Sequence, residues 1–205
     1  MEGLRFLRCA DSGLLVEVEE PADVVSLYDA LREQLPEGVD DLVPARRTVL
    51  LKLSHASADV DRIARHVTGL TLRDRPVVVG DVVEVPVCYD GPDLTSVCDS
   101  TGLTIDDLVA RHTAGLWTVA FCGFSPGFAY LIGGDPALRV PRLDQPRTRV
   151  PAGSVGLAGE FTGIYPRESP GGWRLIGRTD LQLWSLDRDP PAQLTPGTQV
   201  RFRAT

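Results

Sequence analysis

The sequence has little lysine, one residue at Lys52 among 21 basic positions. Positive charge is therefore almost entirely arginine. A bound carboxylate or phosphate must be held by guanidinium groups, backbone N–H groups or helix N-termini. No apolar run approaches the roughly 20 residues that span a bilayer. The segment "MEGLRFLRCADSGLLVEVEE" lacks a basic stretch followed by an apolar one, which predicts no secretory leader and a cytoplasmic location. Cys9, Cys88, Cys98 and Cys122 form no C-x-x-C pair and read as buried, reduced thiols; only Cys122, beside "GFSPGF", is placed to be considered as a nucleophile. His55, His66 and His112 show no metal-ligand spacing, so no metal site is expected. P-loop, dinucleotide, zinc-protease and nucleophile-elbow motifs are all missing. The net charge of −7 argues against nucleic acid or an anionic membrane as partner.

What is present divides the chain in two. Up to about residue 75 the texture is mixed. "LRFLRC" and "GLLVEVE" alternate like a hairpin, "ADVVSLYDALREQL" has helical spacing, and "DDLVPA" and "RTVLLKL" read as strands. "SADVDRIARHVTGL" reads as a helix capped by Ser57 and closed by Gly69. The order is strand, strand, helix, strand, strand, helix, and a further strand would complete a split βαβ unit of ferredoxin-like type. "RDRPVVVGD", Arg73 to Asp81, is the expected junction, giving domains 1–78 and 79–205. Two short helices come next, with Pro92 near the start of the first and Thr104 capping the second with Asp107 at N3. Twelve of the 20 glycines then fall between Gly115 and Gly177, separating the short strands "LWTVAF", "SVGLAG", "TGIYP", "WRLIG", "LQLWSL" and "TQVRFR". That texture predicts a β-barrel or sandwich, so the fold class is α+β.

Two Ser-Pro-Gly tripeptides stand out, in "FSPGF" (Phe124, Pro126, Gly127, Phe128) and "SPGGW" (Gly171, Gly172, Trp173). Pro then Gly is type II turn chemistry, so both are expected to be turns that present backbone amides beside an aromatic ring. Between them "PRLDQPRTRVPAGS" sets Arg142, Arg147 and Arg149 among stiffening prolines, suited to holding a carboxylate or phosphate. A rigid barrel rim with solvated arginines is the other reading. His112, near a helix C-terminus, is a candidate proton donor and acceptor at neutral pH, or else a capping or packing residue.

"FCGFSPGFAYL", "VPAGSVGLAGEFTGIYP" and "SPGGWRLIGRT" together resemble the KipI/PxpB family, known as the B subunit of 5-oxoprolinase or as allophanate hydrolase subunit 1. The resemblance covers nearly the whole chain and is tightest from His112 onward; Cys122 and Ala129 depart from it. It implies a ferredoxin-like α/β domain followed by a cyclophilin-like β-barrel. It also implies two protein partners, a KipA-like C subunit and a LamB/YcsF-like A subunit, with ATP and Mg²⁺ bound by the assembled complex. The activity implied is opening of 5-oxo-L-proline to L-glutamate, the chain being inactive alone. The alternatives are an allophanate hydrolase or urea carboxylase-type subunit, or a non-catalytic inhibitor of a histidine kinase. On this reading His112 is catalytic. The substrate site takes in the two aromatic tripeptide segments, Arg142, Arg147, Gly153, Ser154, Arg178 and Thr179.

Overall fold

The computed structural model describes residues 3–55, 58–72 and 82–205. The chain falls into two compact units, Met1–Val78 and Val79–Thr205. The expected junction, Arg73 to Asp81, lies outside the described residues.

The first unit runs β1 (Arg5–Cys9), β2 (Gly13–Glu17), α1 (Pro21–Glu33), β3 (Val39–Pro44), β4 (Thr48–Leu53) and α2 (Val60–Thr68). Its sheet has the order β1-β2-β4-β3, with every neighbouring pair antiparallel. β2 and β3 are therefore parallel, joined by α1, with β4 inserted between them, which is the split βαβ arrangement. β1 fills the edge beside β2. Strand alternation sends Leu14, Val16, Val49 and Leu51 inward, and α1 covers them with Val24, Leu27 and Leu31, spaced for one helix face. α2 is capped by Asp59, whose carboxylate accepts the Arg62 N–H at 2.9 Å; the expected cap, Ser57, lies outside the described residues.

The second unit begins with β5 (Val83–Val87), α3 (Leu94–Thr101) and α4 (Ile105–Ala114), then β6 (Trp117–Cys122) and β7 (Ala129–Ile132). It continues with β8 (Arg147–Val150), β9 (Ser154–Ala158), β10 (Phe161–Ile164), β11 (Ser169–Gly171), β12 (Arg174–Arg178) and β13 (Gln199–Ala204). Seven strands make one sheet in the order β12-β9-β10-β7-β6-β13-β5. Its two edges meet where Cys88 and Arg178 exchange two backbone hydrogen bonds of 2.9 Å, so the sheet closes into a barrel. Residues 88–93 then run along β12, with the Gly91 and Asp93 N–H groups donating to the Ile176 and Leu175 carbonyls. A side chain at Gly91 would overlap that backbone, so this closure requires glycine. Val85, Val119, Leu131, Val155, Leu157, Ile176 and Phe202 fill the interior. α4 starts with the expected capping box, Thr104 and Asp107 bonding each other's backbone N–H.

Two expectations change. "LQLWSL" is no strand; only a single bridge, Trp184 to Ala192, forms there. The stretch of prolines and arginines instead contains β8, which pairs with β11 as a separate two-stranded sheet.

Candidate functional site

The first tripeptide is the expected type II turn. The Phe128 N–H donates to the Ser125 carbonyl at 3.0 Å, and Gly127 has φ of 83°. The second is not a turn. Ser169–Gly171 is β11, with Ser169 opposite Val150 and Gly171 opposite Arg147, across a register slip. An edge strand tolerates Pro170, because the missing N–H need not serve a neighbour. Gly171 is required for space and not for a left-handed φ, since a Cβ there would overlap the Tyr165 hydroxyl.

The two segments nevertheless meet through their rings. Phe128 packs edge-on against Trp173 at 5.4 Å, Tyr165 at 5.2 Å and Tyr130 at 5.0 Å, and Tyr130 meets Trp173 at 5.5 Å. Phe124 leans on Phe128 at 5.4 Å, yet it is 59% exposed and holds φ of 69°, a conformation unusual for an aromatic residue.

Arg147 supplies the charge beside these rings. Its Nη2 donates to Asp93 Oδ1 at 2.7 Å, with side-chain exposures of 29% and 8%. Asp93 Oδ2 accepts the Leu175 N–H at 2.7 Å. Arg147 Nη1 is buried and has no hydrogen-bond partner. Tyr165 lies close enough to feel the charges of Arg142 and Arg147. Burial raises its hydroxyl above the ordinary phenol value, and the Trp173 backbone N–H and the two arginines pull it partly back. Burial likewise raises Tyr130, and Arg142 opposes it. Both phenols are thus neutral donors at physiological pH.

His112, expected to be catalytic, lies apart from this cluster, among Tyr89, Thr162, Trp117 and Phe202. It is wholly buried. Its Nδ1 lies 2.7 Å from the Tyr89 hydroxyl and its Nε2 3.0 Å from Thr162 Oγ1. Thr162 gives its own proton to the Gly156 carbonyl at 3.1 Å. Nε2 must therefore carry the hydrogen, and Nδ1 must accept from Tyr89. Every ring position is satisfied in the neutral form, Phe202 lies 4.3 Å from the ring, and burial pushes the imidazole down to about 3. A group with that value does not exchange protons near neutrality.

The carboxyltransferase-domain family model, subdomains C and D, matches residues 4–194. A protein from Escherichia coli O157:H7, named as the B subunit of 5-oxoprolinase, is 47% identical over 98% of this chain and 96% of its own length. The chain belongs to the KipI/PxpB family. A second protein of that name, from Bacillus subtilis, is 44% identical over 59% of this chain and 52% of its own length. Among solved structures, TTHA0988 superposes with a TM-score of 0.77 at 38% identity, covering 94% of this chain. The present chain corresponds to 40% of that longer chain and to about half of the Bacillus relative.

In this KipI/PxpB member the remaining expected site residues take varied places. Arg142 is exposed, and the Leu143 N–H that follows it donates to the Gly172 carbonyl at 2.8 Å, which brings the segment to the second tripeptide. Arg178 lies on the barrel seam, its Nε donating to Asp90 at 2.8 Å, and is not joined to the ring cluster by any observed bond. Gly153 (φ 79°) exchanges backbone bonds with Tyr165 and Thr179, and a Cβ there would overlap the Thr179 carbonyl. Ser154 and Thr179 are buried around that backbone crossing. Cys122 donates to the Leu194 carbonyl at 3.4 Å, and burial pushes its thiol up to about 11, so it is no nucleophile. Sequence reasoning missed Asp93, Tyr130 and Tyr165. A carboxylate directly after Gly-Pro at a helix start was the one available signal for Asp93, and it reads as an ordinary cap.

Proposed function

We propose that this chain is the B subunit of an ATP-dependent 5-oxoprolinase complex that opens 5-oxo-L-proline to L-glutamate. The end-to-end likeness to a protein of that name carries the reading. The geometry supports it, because the open nitrogen of Arg147 lies beside a wall of aromatic rings, suited to a small flat carboxylate. In the reaction the ring C–N bond breaks. Water supplies the oxygen of the new side-chain carboxylate, and the ring nitrogen leaves as the α-amine. ATP would supply the activation of the lactam oxygen, its γ-phosphoryl group ending as inorganic phosphate beside ADP, with a second water consumed in its release. In this reading Arg147 orients the substrate carboxylate, and the aromatic wall shields the reacting ring from bulk water.

The arginine-and-ring cluster fits one anionic group. Among the described residues no group of three or more His, Cys, Asp or Glu converges to hold a cation. The proposal assigns ATP and Mg²⁺ to the assembled complex, with a KipA-like protein and a LamB/YcsF-like protein as the partner subunits. Among the described residues no helix is long and apolar enough to cross a membrane, and the reading places the complex in the cytoplasm.

Reconstitution tests this. The chain with its KipA-like and LamB/YcsF-like partners should release glutamate from 5-oxoproline with ATP consumption, and the chain alone should not. A complex that consumes urea or allophanate instead would move the chain to the urea carboxylase type. A chain that binds no such partners and inhibits a histidine kinase would move it to the inhibitor reading.

A further inference from the structure

Asp93 breaks a local rule. It stands at the N-cap of α3, where an aspartate ordinarily accepts an N–H of the first helical turn, yet it makes no such bond. Its two oxygens are committed elsewhere, one to the Leu175 N–H at the barrel seam and one to Arg147 Nη2, 54 residues along the chain. The consequence is a guanidinium fixed by one nitrogen with the other buried and open. Leaving a buried donor unpaired is costly, so each such group calls for an explanation, of which a ligand that completes it is one. Among the described residues four buried side-chain polar atoms lack a partner; they include Arg147 Nη1 on β8, Ser169 Oγ on β11, the strand paired with β8, and Ser125 Oγ in the first turn. Tyr165 completes the set. Its hydroxyl lies against Gly171, which faces Arg147 across the strand pair, and burial keeps the phenol neutral, with a proton to donate.

Charge limits what can bind. Asp93 offsets Arg147, and Glu168 is paired with Arg149 at 2.7 Å. Arg142 lies close to Tyr165 and Tyr130, but it is exposed, as is Asp144 on the same loop, so solvent screens both. A single open guanidinium nitrogen suits a carboxylate monoanion better than phosphate, which carries about −1.5 to −2 near neutral pH in its ester form.

We propose that Arg147, Tyr165 and Ser169 form a binding site for a small carboxylate monoanion, selected over phosphate, with Asp93 as the residue that positions Arg147. The proposal deepens the oxoprolinase reading and rests on it for the identity of the acid. It assigns the site to the substrate carboxylate and away from the nucleotide.

The test is binding by the purified 205-residue chain, followed by ligand-observed NMR titration at constant ionic strength. Three probes are used: 5-oxo-L-proline, 2-pyrrolidinone, which lacks the carboxylate, and inorganic phosphate. Saturable binding of 5-oxo-L-proline is expected, with phosphate at least about tenfold weaker and 2-pyrrolidinone not saturating, since a charge-assisted hydrogen bond is worth about a factor of ten or more. Asp93→Asn and Tyr165→Phe should each weaken 5-oxo-L-proline binding about tenfold. Asp93→Asn also touches the barrel seam, so Tyr165→Phe and Arg147→Lys, which leave the seam intact, carry the test if Asp93→Asn fails to fold. The proposal is overturned by phosphate binding as tightly as 5-oxo-L-proline. It is equally overturned by no saturable 5-oxo-L-proline binding, or by wild-type affinity in both Tyr165→Phe and Arg147→Lys. Turnover by the reconstituted complex is a separate readout. A complex that opens the lactam while the chain fails these binding arms keeps its function and loses this site.

Discussion

His112 and Arg147 are two polar side chains on one barrel, and their surroundings are opposite. Around His112 every donor and acceptor is matched, by Tyr89, Thr162 and, through its backbone carbonyl, the Trp117 indole N–H at 3.0 Å. Around Arg147 one nitrogen is matched and the other is not. A saturated polar group holds a fold together, whereas a partly saturated one is equipped to hold something else. Residue type alone ranks histidine as the better catalyst; in the proposed reading the open nitrogen makes Arg147 the ligand-binding group.

The largest effect should come from breaking the saturated side. His112→Ala removes a buried ring and leaves Tyr89 and Thr162 unmatched, so urea unfolding should show a loss of about 3–5 kcal/mol. An unchanged midpoint would show that His112 is not part of the core. The pH dependence sharpens the point. The folded imidazole sits near 3 against 6.5 for an ordinary histidine. Between these values the unfolded chain takes up a proton and the folded chain does not. The stability due to the neutral form is therefore complete above about pH 6.5 and falls as the pH drops toward 3. The wild type should lose about 2 kcal/mol from this source between pH 6.5 and 5. His112→Gln should lack that component, and equal slopes in the two proteins would contradict it.

The two tripeptides give a smaller version of the same contrast. At Gly171 space decides, so Gly171→Ala should cost about 1–3 kcal/mol through overpacking, and Tyr165→Phe should recover part of it. At Gly127 the backbone angle is left-handed, and a Cβ would also lie 2.9 Å from Trp184 Cβ, so angle and space both count. Gly127→Ala should cost about 2–4 kcal/mol, and Gly127→Asn should recover only the part due to the angle, because asparagine tolerates the left-handed region. Thermal unfolding of the four proteins measures this, and rescue of Gly127→Ala by Tyr165→Phe would erase the distinction. At the small end, Arg149→Ala breaks only the exposed pair with Glu168 and should change stability by less than about 1 kcal/mol.

What could be read from the sequence was local. The Thr104–Asp107 capping box, the turn at Ser125–Phe128 and the alternation of β2 and β4 involve residues a few positions apart, and the structure shows each. The second tripeptide escaped because its conformation is set by β8, about twenty positions earlier, which pulls Ser-Pro-Gly into an edge strand. The role of Asp93 escaped for the same reason at longer range, since its partners are 54 and 82 residues away. For His112 the helix-end position was visible in the sequence, while its burial, the cause of its lowered pKa, was not. Of the expected cluster, the structure brings together Arg142, Arg147, the first turn and Trp173; Arg178 went to the seam because barrel closure needed Cys88 opposite it.

The central claim is that the half-clamped guanidinium, and not the buried imidazole, serves the reaction. The most direct measurement is kcat/KM for 5-oxo-L-proline in the reconstituted complex, comparing Arg147→Lys with His112→Gln at pH 7.5, both shown to be folded. Loss of the open Nη1 hydrogen bond to the substrate carboxylate should lower the Arg147→Lys value by about 10-fold or more, mainly through KM, while His112→Gln stays within about threefold of the wild type. A His112→Gln complex that is folded but loses about 100-fold or more in kcat, with Arg147→Lys near the wild-type value, would contradict the account and return His112 to the chemistry.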